Sequence, residues 1–200
     1  MSITTAMIKE LREATGAGVL DCRKALECSA GDLEGAVVYL REKGLAAAAK
    51  KADRQASDGR VEAYVHHSNR VAVMLELNCE TDFVACTDEF KGLAHDLALH
   101  IAFAAPHYFT REDVPDEVIE SKRAVYRAQA LEEGKPEHIV DRIVEGQMEK
   151  FYQQACLMEQ SFVKDEDKTV QDLIAEATAK LDEKIVLRRF VRYEVGEELD

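Results

Sequence analysis

The sequence predicts an α+β fold: an N-terminal three-helix unit, a helical linker, then an antiparallel sheet of about three strands packed with helices. Three observations carry that expectation. Apolar residues recur at helical spacing through the first 44 residues, the period drops to two between Gly59 and Cys79, and it drops to two again near the C-terminus after a long helical stretch. With 200 residues, 46% of them apolar, the chain has enough material to bury an ordinary core.

The elements follow in order. Ile3, Met7, Ile8 and Leu11 mark the first helix, and Thr15-Gly16-Ala17-Gly18 interrupts it. Val19, Cys22, Ala25 and Leu26 mark the second; Leu33, Ala36, Val37 and Leu40 mark a third that should end at Lys43-Gly44. Residues 1–44 thus read as one small helical domain. LAAAAKKADRQAS has high helix propensity but few bulky side chains, which predicts a helical linker over 45–58. In the α+β region of 59–200, Val61, Ala63 and Val65 alternate with Glu62, Tyr64 and His66, and Ser68-Asn69-Arg70 turns the chain. VAVMLELNC is apolar on both faces in its first half, as expected of a central strand covered on both sides. Helices are predicted near 84–104, 116–133, 136–156 and 169–181, with Pro106, Pro115 and Gly134-Lys135-Pro136 as stops. IVLRRFVRYEV supplies the last strand, with Leu187, Arg189, Val191 and Tyr193 on one face and Val186 and Phe190 on the other.

Charge narrows the function. The net charge of −13 repels phosphate backbones and anionic lipid, which argues against nucleic-acid and membrane partners. Residues 1–60 hold ten Lys/Arg against nine Asp/Glu and are near neutral, so the negative charge lies in the body, residues 61–200, at −14. No apolar run reaches the roughly 18 residues of a membrane span, and charges sit where a signal peptide would carry its apolar core. Five scattered cysteines suit a reducing compartment, so a cytoplasmic protein is expected.

Catalytic and metal chemistry find little support, and neither enzyme activity nor a cofactor is expected. His66 and His67 are adjacent in a strand and point to opposite faces. His95 and His100 lie about 140° apart around a helix, the wrong spacing for a zinc pair. Cys22 with Cys28, and Cys79 with Cys86, match no metal clip and read as small buried hydrophobes. Gly16 and Gly18 follow a helix, not a strand, so they serve a tight turn and not a dinucleotide. Lys9, Arg12, Val19 and Leu20 flank that corner as solvated charge and core residues. ELNCETDFVA is less easily explained: it runs from a buried strand into a helix, with Thr81 or Asp82 at the N-cap and Phe83 and Val84 in the first turn. Phe83 reads either as a core or staple residue, or as an exposed aromatic beside a carboxylate, the pattern of an interface anchor.

Three long segments in order, IKELREATGAGVLDCRKALECSAGDLEGAVVYLREKG, NCETDFVA, and GKPEHIVDRIVEGQMEKFYQQACLMEQSFVKDEDKTV followed by RRFVRYEVGEEL, resemble the bacterial elongation factor Ts family over essentially the whole chain. The resemblance implies a ubiquitin-associated-like head and nucleotide exchange on elongation factor Tu. It implies that the TDFV motif, Thr81 to Val84, touches the partner's G domain, with Asp82 and Phe83 entering near its phosphate and magnesium site. Lys9, Arg12, Val19 and Leu20 would contact the same domain, and His100 would approach it too. The chain departs from the family's usual EGRM and QPFV at Gly146-Gln147-Met148 and Gln160-Ser161-Phe162-Val163. Its single sheet unit resembles the short form, which implies a homodimer pairing through edge strands. A different expectation is a ubiquitin-associated-like head serving as a generic protein-binding module on a dimerisation scaffold.

Overall fold

The computed structural model describes residues 3–197; the last two residues of the RRFVRYEVGEEL motif lie outside the described residues. Three helices open the chain, α1 (Thr5–Thr15), α2 (Val19–Cys28) and α3 (Leu33–Lys50). The strands β1 (Asp58–Val65) and β2 (Val71–Cys79) form a hairpin, followed by α4 (Asp82–Ala85) and α5 (Asp88–Ala104). A helical hairpin of α6 (Asp116–Glu132) and α7 (Glu137–Ala155) comes next, then the short strands β3 (Ser161–Phe162) and β4 (Asp165–Thr169). The helix α8 (Val170–Leu181) leads into β5 (Val186–Glu194). The fold is α+β, with the antiparallel sheet ordered β1-β2-β5. Among the described residues no helix is long and apolar enough to cross a membrane.

The head closes over Leu11, Cys22, Ala25, Leu26 and Ala36. Gly16 ends α1 at φ 69°, a left-handed conformation, and its N–H bonds the Arg12 carbonyl. The expected stop at Lys43-Gly44 is corrected, because α3 continues to Lys50. Its alanines favour helix, and α8 covers the extension: a Cβ on Gly44 would lie 3.7 Å from the Ala175 carbonyl. The linker is therefore a helical extension of the head followed by turn and extended chain, not a separate helix. Lys51, buried, ends it by donating to Asp182 at 2.7 Å and to the Thr178 carbonyl at 3.3 Å.

The main core lies between the sheet and α5 and α8, where Val73, Leu75, Leu77 and Leu187 meet Phe90, Leu97, Ile101, Val170 and Ile174. Gly59, at φ 147°, pairs so closely with β2 that a Cβ would stand 2.2 Å from the Leu77 carbonyl. The outward face of β2 is covered at Asn78 but open at Met74, which corrects the two-sided expectation for the first half of the strand. Val61, Val65, Met74, Val191 and Tyr193 are exposed on or beside that face. On β1 the inward positions are Arg60, Glu62 and Tyr64; one guanidinium nitrogen of Arg60 pairs with Glu62 at 2.8 Å while its Nε stays buried without a partner, Glu62 meets His95 at 3.3 Å, and the Tyr64 ring lies edge-on to His95. In β5 the pairing shifts between Glu76 and Leu77, so that Leu187 and Phe190 oppose Leu77 and Leu75. That bulge corrects the expected grouping of Leu187 with Arg189, Val191 and Tyr193.

The predicted helix near 84–104 is two helices, since Thr87 caps a fresh start by accepting from the Phe90 N–H. The pair α6 and α7 has its own small core of Ala130, Val140, Val144 and Met148. Arg111 ties its base to the body through Glu149 and Glu159 while lying 4.7 Å from the Tyr152 ring. The pairing of β3 with β4 has no counterpart in the sequence reading, because strands this short carry no readable period.

Candidate partner-binding site

The strand β2 delivers the chain to the sheet's end at Cys79, where Glu80 and Thr81 turn it into α4. Thr81 is the N-cap: its φ of −131° is extended, and its hydroxyl accepts the Val84 N–H at 3.4 Å. The buried Cys79 thiol lies 3.1 Å from the Thr81 carbonyl, and burial pushes its pKa up to about 11, so it stays a thiol. Val84 packs on the core from the inner side of the turn. Asp82 and Phe83 face outward, and Phe83 is 82% exposed. A staple or core role for this ring is thereby removed, because it has little of its own subunit to pack against.

The corner is held from across the sequence. Glu183 accepts from the main-chain N–H groups of Glu80 at 3.0 Å and Thr81 at 3.1 Å, and from the Thr81 hydroxyl at 2.6 Å. The Glu80 carboxylate accepts the Lys184 N–H at 2.7 Å and pairs with Arg54 at 3.1 Å. The Lys184 N–H first, and then Arg54, hold the Glu80 carboxyl below the ordinary carboxylate range. Nothing in the sequence reading singles out Glu183, Lys184 or Arg54; only the fold brings them to this corner.

On the head, Lys9 and Arg12 are exposed on α1, and Lys9 reaches Glu13 at 3.6 Å. Val19 and Leu20 open α2, with Leu20 79% exposed, which corrects its reading as a core leucine. The turn between α1 and α2 lies by the end of α8, lining a cleft of about 500 Å³ with Lys43, Lys180 and Asp182. An adjoining cleft is lined by Thr15, Lys180, Asp88 and Glu89, and Lys180 pairs with Glu89 at 2.9 Å. The head turn and the start of α5, just after α4, thus share one end of the molecule.

His100 does not join them. It is 1% exposed, with Nε2 3.1 Å from the Gln160 side chain and Nδ1 accepting the Val163 N–H at 3.3 Å. Burial lowers its pKa, against a smaller opposing effect of Gln160. The expectation of a partner-facing His100 is corrected to a core histidine that ties α5 to the β3–β4 corner. Among the described residues no group of three or more His, Cys, Asp or Glu is placed to hold a metal ion.

The comparisons with known proteins agree among themselves. The family described as Elongation factor TS matches residues 30–197. Elongation factor Ts of Desulfitobacterium hafniense is 59% identical over 198 residues, spanning 99% of this chain and 91% of that protein. The Carboxydothermus hydrogenoformans protein of the same name is 59% identical over 197 residues, 98% and 91% of the two chains. That of Moorella thermoacetica is 58% identical over 195 residues, 98% and 96%. Identity this high along nearly the full length of both partners leaves no room for a shared fragment or a shared architecture alone: this chain belongs to the elongation factor Ts family.

Proposed function

We propose that the chain is a guanine-nucleotide exchange factor of translation elongation, binding elongation factor Tu in the cytoplasm and promoting release of GDP. The observation that carries the reading is the exposed Phe83 on α4, beside Asp82, at the end of the molecule that the head turn also reaches. An exchange factor must bind the empty GTPase better than the loaded one, and reciprocity makes nucleotide weaken the factor by the same ratio. A ten-thousandfold shift requires about 5.5 kcal/mol of differential binding. One buried phenylalanine supplies roughly 1.5–3 kcal/mol, so Phe83 acts with other contacts. In this reading Phe83 wedges a partner helix aside, Asp82 disturbs the phosphate and magnesium surroundings, and Thr81 and Val84 seat the turn. Lys9, Arg12, Val19 and Leu20 anchor the head, residues 1–44, on the same partner domain. The role is one of binding; no bond is made or broken by this chain, and neither a cofactor, a nucleic acid nor a membrane is required.

The chain acts as a homodimer in this reading. The exposed sheet face of Val61, Met74 and Val191 supports the assembly better than edge pairing does, since it offers apolar side chains that water otherwise solvates. Release of a fluorescent GDP from elongation factor Tu, timed with and without the protein, tests the exchange function; an unaltered rate rejects it. The exposed Val19 and Leu20 also suit a generic ubiquitin-associated-like binding module. A partner GTPase that excess GDP releases from the immobilised protein decides for exchange; capture indifferent to GDP decides for the module.

A further inference from the structure

Phe83 stands on a helix of four residues, and one turn does not hold itself, because nucleation fixes more dihedral freedom than its first bonds repay. What fixes the turn is therefore outside it. Three donors converge on one carboxylate: the Glu80 N–H and the Thr81 N–H on Oε2 of Glu183, and the Thr81 hydroxyl on its Oε1 at 2.6 Å. Hydrogen bonds to an ionised acceptor are about twice as strong as neutral ones. The Thr81 hydroxyl spends its proton on Glu183 and its lone pair on the Val84 N–H, so the cap of α4 and the clasp are one chain of bonds.

The clasp is reciprocal and reaches further. Glu80 accepts the Lys184 N–H at 2.7 Å, so each corner holds the other's main chain. Lys184 also donates its ammonium to the carbonyl of Arg54 at 2.9 Å, and the buried Lys51 binds Asp182. Asp182 turns the end of α8 in the left-handed region at φ 59°, a conformation Asp tolerates better than most residues, and thereby begins the turn that brings Glu183 and Lys184 onto the α4 corner. The segment leaving the head, the corner bearing Phe83 and the corner entering β5 meet at this one cluster.

We propose that Glu183 is a positioning residue for nucleotide exchange: by clasping the main chain of Glu80 and Thr81 it sets the direction in which Phe83 leaves the sheet. It acts through the main chain of Glu80 and Thr81 and the Thr81 hydroxyl. The proposal rests on the exchange reading above, and it separates from that reading in its measurements.

The test uses the full chain and stopped-flow release of fluorescent GDP from elongation factor Tu over a range of factor concentrations. Glu183→Ala is expected to lower the saturating rate about tenfold, equivalent to ~1.4 kcal/mol, while the half-saturating concentration stays near that of the parent. Glu183→Gln, which keeps the shape and one acceptor oxygen, falls between the two. Glu183→Ala combined with Phe83→Ala is no slower than Phe83→Ala alone, because both act through one ring. Amide hydrogen exchange at Glu80, Thr81 and Val84 quickens in the Ala variant, whereas the Leu75 and Leu77 amides keep their protection. A parental saturating rate in the folded Ala variant overturns the proposal and leaves the exchange reading intact. Losses that multiply with Phe83→Ala do the same. If the Ala variant does not fold, the Gln variant decides, and a parental rate there is fatal to the idea. A parent protein that leaves GDP release unaccelerated sinks the exchange reading, and this proposal with it.

Discussion

Replacing Phe83 by alanine should separate the proposed exchange function from folding. A ring already 82% exposed gives up little when it is removed from the free protein. Scaling the roughly 1.5–3 kcal/mol of a fully buried phenylalanine by the covered fraction leaves about 0.3–0.5 kcal/mol of lost stability. For a chain of this size that lowers the thermal midpoint by about 1–2 °C. The uncovered part of the ring is what a partner can bury, worth about 1.2–2.5 kcal/mol, which converts to a roughly 8- to 70-fold loss of stimulated GDP release. Stopped-flow release of fluorescent GDP measures the second quantity and thermal denaturation the first. Phe90→Ala is the internal contrast: that ring is fully buried, and its removal should cost about 3–5 kcal/mol of stability. The reasoning is refuted if Phe83→Ala exchanges at the parental rate, or if it lowers the midpoint as much as Phe90→Ala does.

Three further outcomes are expected. His100 is buried in its neutral form with a depressed pKa, while the unfolded chain takes up that proton below about pH 6.5, so the stability it contributes is complete above that value. As pH falls from there towards the lowered folded value this stability is lost, at most about 1.4 kcal/mol per pH unit. Urea midpoints from pH 7.5 to 5.5 should decline more steeply for the parent than for His100→Gln, and parallel declines count against it. Cys28 and Cys86 are exposed, which corrects their expectation as buried hydrophobes, whereas Cys22, Cys79 and Cys156 are buried with raised pKa values, about 11 for the last two. A thiol-disulfide reagent should therefore titrate two thiols in the native protein and five in urea, and a third fast native thiol would contradict this burial. Met74, 52% exposed on the uncovered sheet face, should tolerate aspartate in a folded monomer but not in the proposed dimer. Light scattering should show Met74→Asp at half the parental mass, and an unchanged mass excludes that face as the interface.

Much of this molecule is legible in its linear order because helix period, caps and turns are local. The three helices of the head, the hairpin over Gly59 to Cys79 and the helices α6, α7 and α8 follow from apolar spacing and from Gly and Pro as punctuation. The N-cap was legible as Thr81 or Asp82, both short polar residues between a strand and a helix, and the structure decides for Thr81. Leu20 misled because a leucine in a helical pattern is ordinarily core, and His100 misled because its companions, Gln160 and Val163, come some sixty residues later. A resemblance suggests a surface, whereas burial depends on which neighbours arrive.

Chain order by itself determined where most helices and the three strands of the main sheet form, which class of fold they make, and that Thr81 to Val84 stand at a strand's end. Tertiary structure alone decided which face of β1 meets α5, that α3 runs on through Gly44 beneath α8, and that Phe83 is left bare while Glu183 grips the turn beneath it. The reason is physical. Period and propensity act within a few residues, but exposure and charge pairing are settled between segments a hundred residues apart, where packing brings one carboxylate to three donors and leaves one ring without a neighbour.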